Sequence, residues 1–141
     1  MILVIDTNSL LQALAAGNPL RPLLDAWFAG RLTWAMSNEI LFEYQEVITL
    51  RSGAVRWQRL SAMLDIVEQA RPATLLRISP NFHFHLITAD VDDNKFADCA
   101  IAAEADFVTT DDAHFGPLAN SGYKPQPITP TEFILRHLRS P

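Results

Sequence analysis

The sequence is poor in cysteine, in charge and in long apolar runs. A single cysteine, Cys99, among 141 residues excludes an internal disulfide framework and a thiolate metal site built within one chain. Charged residues make up 19% against 49% hydrophobic ones, which excludes a disordered chain and allows a sizeable core. No apolar run approaches the roughly 20 residues needed to cross a bilayer. The opening Met1–Ile5 is apolar, but Asp6 ends it and no basic stretch precedes it. The expectation is a soluble cytoplasmic protein with no leader and no membrane association. The length suits one compact domain over 1–141, without internal repeats or linkers.

Cations are scarce too. Eleven Lys and Arg face sixteen Asp and Glu, a formal net charge of −5. A uniformly acidic surface repels phosphates and argues against a nucleic-acid partner. The acids are not uniform, however. Half of them fall between Asp90 and Asp112, where Lys95 is the sole basic residue. Such a concentration either repels itself at a cost in stability or binds cations. Two bound divalent ions would cancel most of the −5 and remove the objection.

The hydrophobic pattern alternates between short apolar runs and helical periodicity. Met1 to Ile5 reads as a buried, parallel strand ended by Asp6. Thr7 or Asn8 is placed to cap a helix through Leu10, Leu11 and Leu14, stopped near Gly17. Leu23, Leu24, Trp27 and Phe28 follow at helical spacing. Leu32 to Met36 is a second strand, and Ser37 or Asn38 caps a helix carrying Ile40, Leu41, Tyr44, Val47 and Ile48. Ser52-Gly53 breaks it, and a further helix spans Val55 to Ala70. Thr74 to Ile78 reads as a strand, and 79–91 carries no clear pattern. Asn94 to Ala105 is an Ala-rich helix. Phe107 to Thr110 is a strand ending in Asp111-Asp112. Ile128-Thr129 is a last strand before a helix over Thr131 to Leu138, with Pro130 at its start. This alternation predicts an α/β fold with a central, mainly parallel sheet flanked by helices.

Ligands of open α/β sheets bind beyond the carboxyl ends of the strands. Asp6 and Asp111 stand at two such ends. Glu43 lies about one and a half turns into the helix after the second strand. Asp93 and Asp98 lie on the Ala-rich helix, roughly 500° apart around its axis, so they do not share a face. Carboxylates gathered in one crevice raise each other's pKa unless a counter-charge is present. Oxygen-only donors favour one or two Mg²⁺ or Mn²⁺ ions. This chemistry requires the acids to form an open anionic pocket, not to be tied up by lysine or arginine. Taken singly, each aspartate also reads as a helix cap or turn residue, and Glu43 as a solvated helix residue.

Several motifs then match a known family. Asp6-Thr7-Asn8 after the first strand resembles the opening of PIN domains. Ser37 to Tyr44, a serine followed by Glu43 on a helix, resembles their second motif. Asp90 to Ala100 and Ala105 to Asp111 resemble the third and fourth, and Ile128 to Phe133 is also similar. The resemblance spans nearly the whole chain and is nearest to bacterial PIN proteins of the VapC type, toxins of toxin–antitoxin pairs. It implies a three-layer PIN-like fold and a metal-dependent endoribonuclease using Mg²⁺ or Mn²⁺ on an RNA substrate. It also implies a small antitoxin protein as partner and a homodimer. Carried over by position, the catalytic and metal-binding set is Asp6, Glu43, Asp93 and Asp111. Asp98 is retained beside Asp93, because counting back from Ala102-Ala103 points to it. Asn8, Ser37 and Thr109 are candidates to orient carboxylates or water, Asn94 to do the same or cap its helix, and His114 to touch phosphate or substrate.

Other signals read as structural. His83 and His85 would share a face on a strand and could begin a Zn²⁺ site, but no further ligand is evident. Arg51, Arg56, Trp57 and Arg59 form a basic cluster, read as a solvated helix face with Trp57 in the core rather than as an RNA contact. Trp27, Phe28 and Trp34 belong to the core or a dimer contact, and Cys99 is an inert buried residue. Three functions compete with the ribonuclease: an inactive PIN-like binding module, a DNA nuclease with the same site, and a phosphotransfer receiver. The receiver needs a late-strand lysine, for which only Lys124 is present, and no acceptor segment precedes it.

Overall fold

The computed structural model describes residues 1–139. Five short parallel strands form one sheet in the order β3-β2-β1-β4-β5. They are β1 (Ile2–Ile5), β2 (Thr33–Met36), β3 (Leu75–Arg77), β4 (Phe107–Thr109) and β5 (Gln126–Ile128). β1 is central because its apolar, largely branched residues tolerate burial on both faces. Leu3 pairs with Trp34 on one side and Phe107 on the other. The chain crosses from the β1–β2–β3 half to the β4–β5 half after β3. The topological switch point therefore lies between β1 and β4, where open α/β sheets present their ligand crevice.

The helices are α1 (Thr7–Leu14), α2 (Arg21–Phe28), α3 (Asn38–Ser52), α4 (Ala54–Ala70), α5 (Asn94–Ala102), α6 (Gly116–Ala119) and α7 (Pro130–Phe133). They complete a three-layer α/β architecture. α5 packs on β1, β2 and β4, beneath the switch point. α3 and α4 form an antiparallel pair joined at Gly53, whose φ of +91° is a conformation side chains rarely permit. No described helix is long and apolar enough to cross a membrane.

Several boundaries differ from the sequence reading. Asp6 itself caps α1, accepting from the Ser9 amide at 2.8 Å; Thr7 and Asn8 lie in the first turn. α5 stops at Ala102 rather than Ala105, because Glu104 turns into the left-handed region (φ +51°) and the Ala105 amide closes back on Ala100. The last helix starts at Pro130 and ends at Leu138 as expected, widening over Ile134–Leu138, while Thr129 caps it rather than continuing β5, which ends at Ile128. His83 and His85 are not on a strand: the chain from Ser79 to Asp90 is irregular. It is fastened instead by side chains, since Asn94 accepts from the Ile87 amide and donates to the Ile87 carbonyl, both at 2.9 Å.

The core centres on aromatic residues. Trp27 and Trp34 meet edge to face at 5.1 Å, and Tyr44 packs on Trp34 at 5.8 Å. Trp27 donates its indole N–H to the Thr74 carbonyl. Phe28 is instead half exposed, and Trp57 is only partly buried against the core. Cys99 is buried, and burial pushes its thiol up to about 12, which suits an inert residue. On β5, Gln126 donates to the Asp106 carbonyl and Ile128 accepts from the Thr110 amide, both toward β4. Pro127 between them therefore faces the open edge.

The fully buried Tyr44 hydroxyl donates to the Ile5 carbonyl at the end of β1. Tyr44→Phe leaves that carbonyl without its donor and is expected to lower the unfolding free energy by about 1–3 kcal/mol. Urea denaturation with an unchanged slope is the check; an equally stable variant would show that the bond contributes nothing.

Candidate active site

Asp6 leaves β1 at the switch point and is only 6% exposed. Its carboxylate is oriented from two directions. The Ser9 amide donates to one oxygen, and the Thr110 hydroxyl donates to the other at 2.5 Å. The Asp6 amide in turn donates to the Thr109 carbonyl, which also receives the Ser9 hydroxyl. Burial raises the Asp6 pKa above its ordinary value; the Ser9 and Thr110 bonds partly offset this, and the negative charge of Asp111 adds to it.

Asp93 sits in the turn that leads into α5. Burial first, then the charges of Asp90, Asp112 and Asp6, push its carboxyl up to about 6, with His114 opposing. The Asp93 Oδ2 atom is buried and has no hydrogen-bond partner. One ligand atom each from Asp90, Asp93 and His114 lie within 4.8 Å of one another. His114 also lies 3.2 Å from Asp112. Asp6 thus feels the charge of the exposed Asp111, and Asp93 feels those of Asp6, Asp90 and Asp112, with His114 beside it. No lysine or arginine pairs with Asp6, Asp93 or Asp111 among the described residues.

Glu43 departs from the expectation of an untethered carboxylate. One oxygen receives the Lys95 ammonium at 2.7 Å, and the other accepts from the Thr7 hydroxyl. Thr7 follows Asp6, so Glu43 is tied to the site through its neighbour, and one cation of the chain is already spent on it. Asp98 points elsewhere. It is buried and accepts from the Phe84 amide at 3.1 Å, with His83 Nδ1 at 3.3 Å. The separation of Asp93 and Asp98 follows from their angular spacing on the helix.

The supporting residues are arranged differently from the sequence reading. The hydroxyl that reaches Asp6 is that of Thr110; the buried Thr109 hydroxyl has no partner. Ser37 caps α3 by accepting from the Ile40 amide. Asn8 is exposed, and Asn94 grips the Ile87 backbone. Thr7, Ser9, Asp90, Lys95 and Thr110 escaped sequence reasoning. Thr7 and Thr110 adjoin Asp6 and Asp111, which was the available signal. Lys95 was visible only as a lone cation among acids.

The donors fit a hard divalent cation. They are carboxylate oxygens, two of them on groups raised in pKa by burial and neighbouring negative charge, and the buried Asp93 Oδ2 has no hydrogen-bond partner, only the His114 ring 3.7 Å away.

The model of the PIN domain family matches residues 2–114. Among solved structures, the chain is similar to VapBC2 from Rickettsia felis bound to a DNA fragment from their promoter, at 19% identity and TM-score 0.59, covering 90% of this chain and 98% of that one. It is also similar to the RRP44 PIN domain of T. brucei, at 14% identity and TM-score 0.52, covering 95% and 77%. At these identities the likeness is one of fold. No curated protein matches.

Asp93 is raised above its unfolded value of 3.8 to about 6, so the native state holds this proton more tightly than the unfolded one. Stability falls as pH rises through that window and stays lower above it. Without metal, Asp93→Asn is expected to change stability little at pH 4 and to raise it at pH 8, on the order of 1–3 kcal/mol. Denaturant titrations at the two pH values test this; no gain at pH 8 contradicts it.

Proposed function

Because the chain belongs to the PIN domain family, whose members are generally nucleases, we propose that it is a metal-dependent endoribonuclease hydrolysing phosphodiester bonds of RNA. What supports this most is Asp6 at the switch point, its charge acting on Asp93 and that of Asp111 acting on it, with no lysine or arginine paired to any of the three among the described residues. Asp6, Asp93 and Asp111 would hold Mg²⁺ or Mn²⁺; Asp93 also forms a compact donor group with Asp90 and His114, one ligand atom of each within 4.8 Å of the others. When bound, such an ion lowers the pKa of water and stabilises the leaving oxygen of an in-line displacement. Ser9 and Thr110 fix the direction of the Asp6 oxygens. Lys95 and Thr7 hold the Glu43 carboxylate in one orientation and limit the repulsion it adds. Asp98, engaged by the 83–84 backbone and imidazole, acts at one remove in this reading.

The same reading makes the chain a single PIN domain, and the toxin of a toxin–antitoxin pair, cytoplasmic and homodimeric, with a small protein antitoxin. Support for the pairing comes from the motif resemblance and from the VapBC2 neighbour of R. felis.

Asp6→Asn and Asp111→Asn are each expected to abolish Mn²⁺-dependent cleavage of single-stranded RNA with circular dichroism unchanged. Thr110→Val, which only loosens Asp6, should cost about 10–100-fold. Full activity of a contamination-free Asp6→Asn preparation removes the assignment. Calorimetry with Mn²⁺ separates an inactive binding module, which shows no carboxylate-dependent binding, and a parallel DNA substrate separates a DNA nuclease.

A further inference from the structure

Beside the acid set lies a cavity of about 280 Å³, whose charged and ring-bearing lining is Glu39, His83, His85, Asp92, Lys95 and Asp98. Its walls come from four parts of the chain, the turn holding Asp92 ahead of α5 among them. Glu39 stands in the first turn of α3, Lys95 and Asp98 belong to α5, and His83 and His85 belong to the irregular segment. That segment is pinned in place. Asp98 holds the Phe84 amide and the His83 ring, and Asn94 holds both backbone groups of Ile87. His85 is also kept at φ +52°, a left-handed conformation uncommon for residues other than glycine and typical of ligand clamps when the surroundings enforce it.

The lining selects its occupant. The volume falls just below the roughly 300–1,000 Å³ of drug-sized sites, and the walls are polar, so one small polar ring system fits better than a lipid or a peptide side chain. Glu39 is exposed and makes no ion pair or side-chain hydrogen bond among the described residues. It offers two carboxylate oxygens. Lys95 keeps two N–H groups beyond the one given to Glu43. The histidine rings offer faces for stacking, as in recognition of unpaired bases. Among nucleobases, guanine alone presents two adjacent N–H groups, on N1 and N2, to a carboxylate, while its O6 remains an acceptor for an ammonium.

We propose that this cavity takes one unstacked guanine base of an RNA strand, with Glu39 reading its N1–H and N2–H edge. The choice of RNA as the source of the base rests on the ribonuclease reading above. Lys95 links the two sites, touching Glu43 on one side and lining the cavity on the other, so a base seated here belongs to a strand that passes the acids.

The test is a titration of the full-length, metal-free protein with GMP, AMP, CMP and UMP, followed by backbone amide NMR shifts. GMP is expected to move the amides of Phe84, His85 and Lys95 and to bind about tenfold more tightly than the other three. Tenfold is about 1.4 kcal/mol, within the range of one bidentate base contact. Glu39→Gln presents one acceptor and one donor and should abolish the preference. Equal affinity for all four nucleotides, shifts confined to other parts of the chain, or a guanine preference that survives Glu39→Gln overturns the proposal. Cleavage enters none of these readouts. A chain that binds GMP here but cuts no RNA retains the guanine site and loses the ribonuclease reading; a chain that cuts RNA but binds the four nucleotides equally does the reverse.

Discussion

A carboxylate can lie almost wholly buried at the end of a central strand only if the protein replaces the hydrogen bonds that water would have made. Asp6 is in that position, and its two donors come from different elements: the Ser9 amide at the start of α1 and the Thr110 hydroxyl just past β4. The requirement therefore fixes more than one side chain. It fixes where α1 begins, and it fixes the register of β1 against β4, since Ile5 must lie beside Thr109 for Thr110 to reach across. Tyr44 closes the other side by meeting the Ile5 carbonyl. The strand end, the helix start and the neighbouring strand form one hydrogen-bonded unit around a single charge.

Two ways of handling negative charge coexist within that unit. Glu43 receives an internal cation, Lys95, from the first turn of α5. Asp93, two residues before Lys95, meets no lysine or arginine, only the His114 ring 3.7 Å away, and is lifted to about 6. The contrast arises because α5 rotates 100° per residue, which turns Lys95 toward α3 while Asp93 remains with Asp90 and His114. The protein thus neutralises the carboxylate on the periphery and leaves those at the switch point with unmet charge, an arrangement that is costly without a ligand and suited to one.

Much of this was legible in the sequence because it is local. An acid that interrupts an apolar β-branched run marks a strand end, so the placement of Asp6 and Asp111 beyond β1 and β4 could be read directly. The alternation of strands and helices gave the α/β class, and the PIN resemblance followed from the order of the motifs. What depended on packing was not legible. Lys95 and Glu43 are 52 residues apart, and nothing in either segment announces their pairing. Thr109 and Thr110 are equivalent by composition, and the pleat at the end of β4 decides which one meets Asp6. The segment from Ser79 to Asp90 has no periodicity because side chains of α5, not its own hydrogen bonds, determine its path. Asp93 and Asp98 both fit the motifs and are set apart by their helical spacing; that Asp98 is taken up by His83 and Phe84 emerges only once that segment is laid over it.

The proline in β5 has a consequence for how this molecule can meet others. Its neighbours spend their inward groups on β4, so the outward position carries a ring nitrogen with no hydrogen to give. A further strand laid along this border would find a gap where the ladder needs a donor. The rim is closed to extension by backbone pairing, and association on that side has to be made by side chains, which discriminate between partners where a bare strand edge does not.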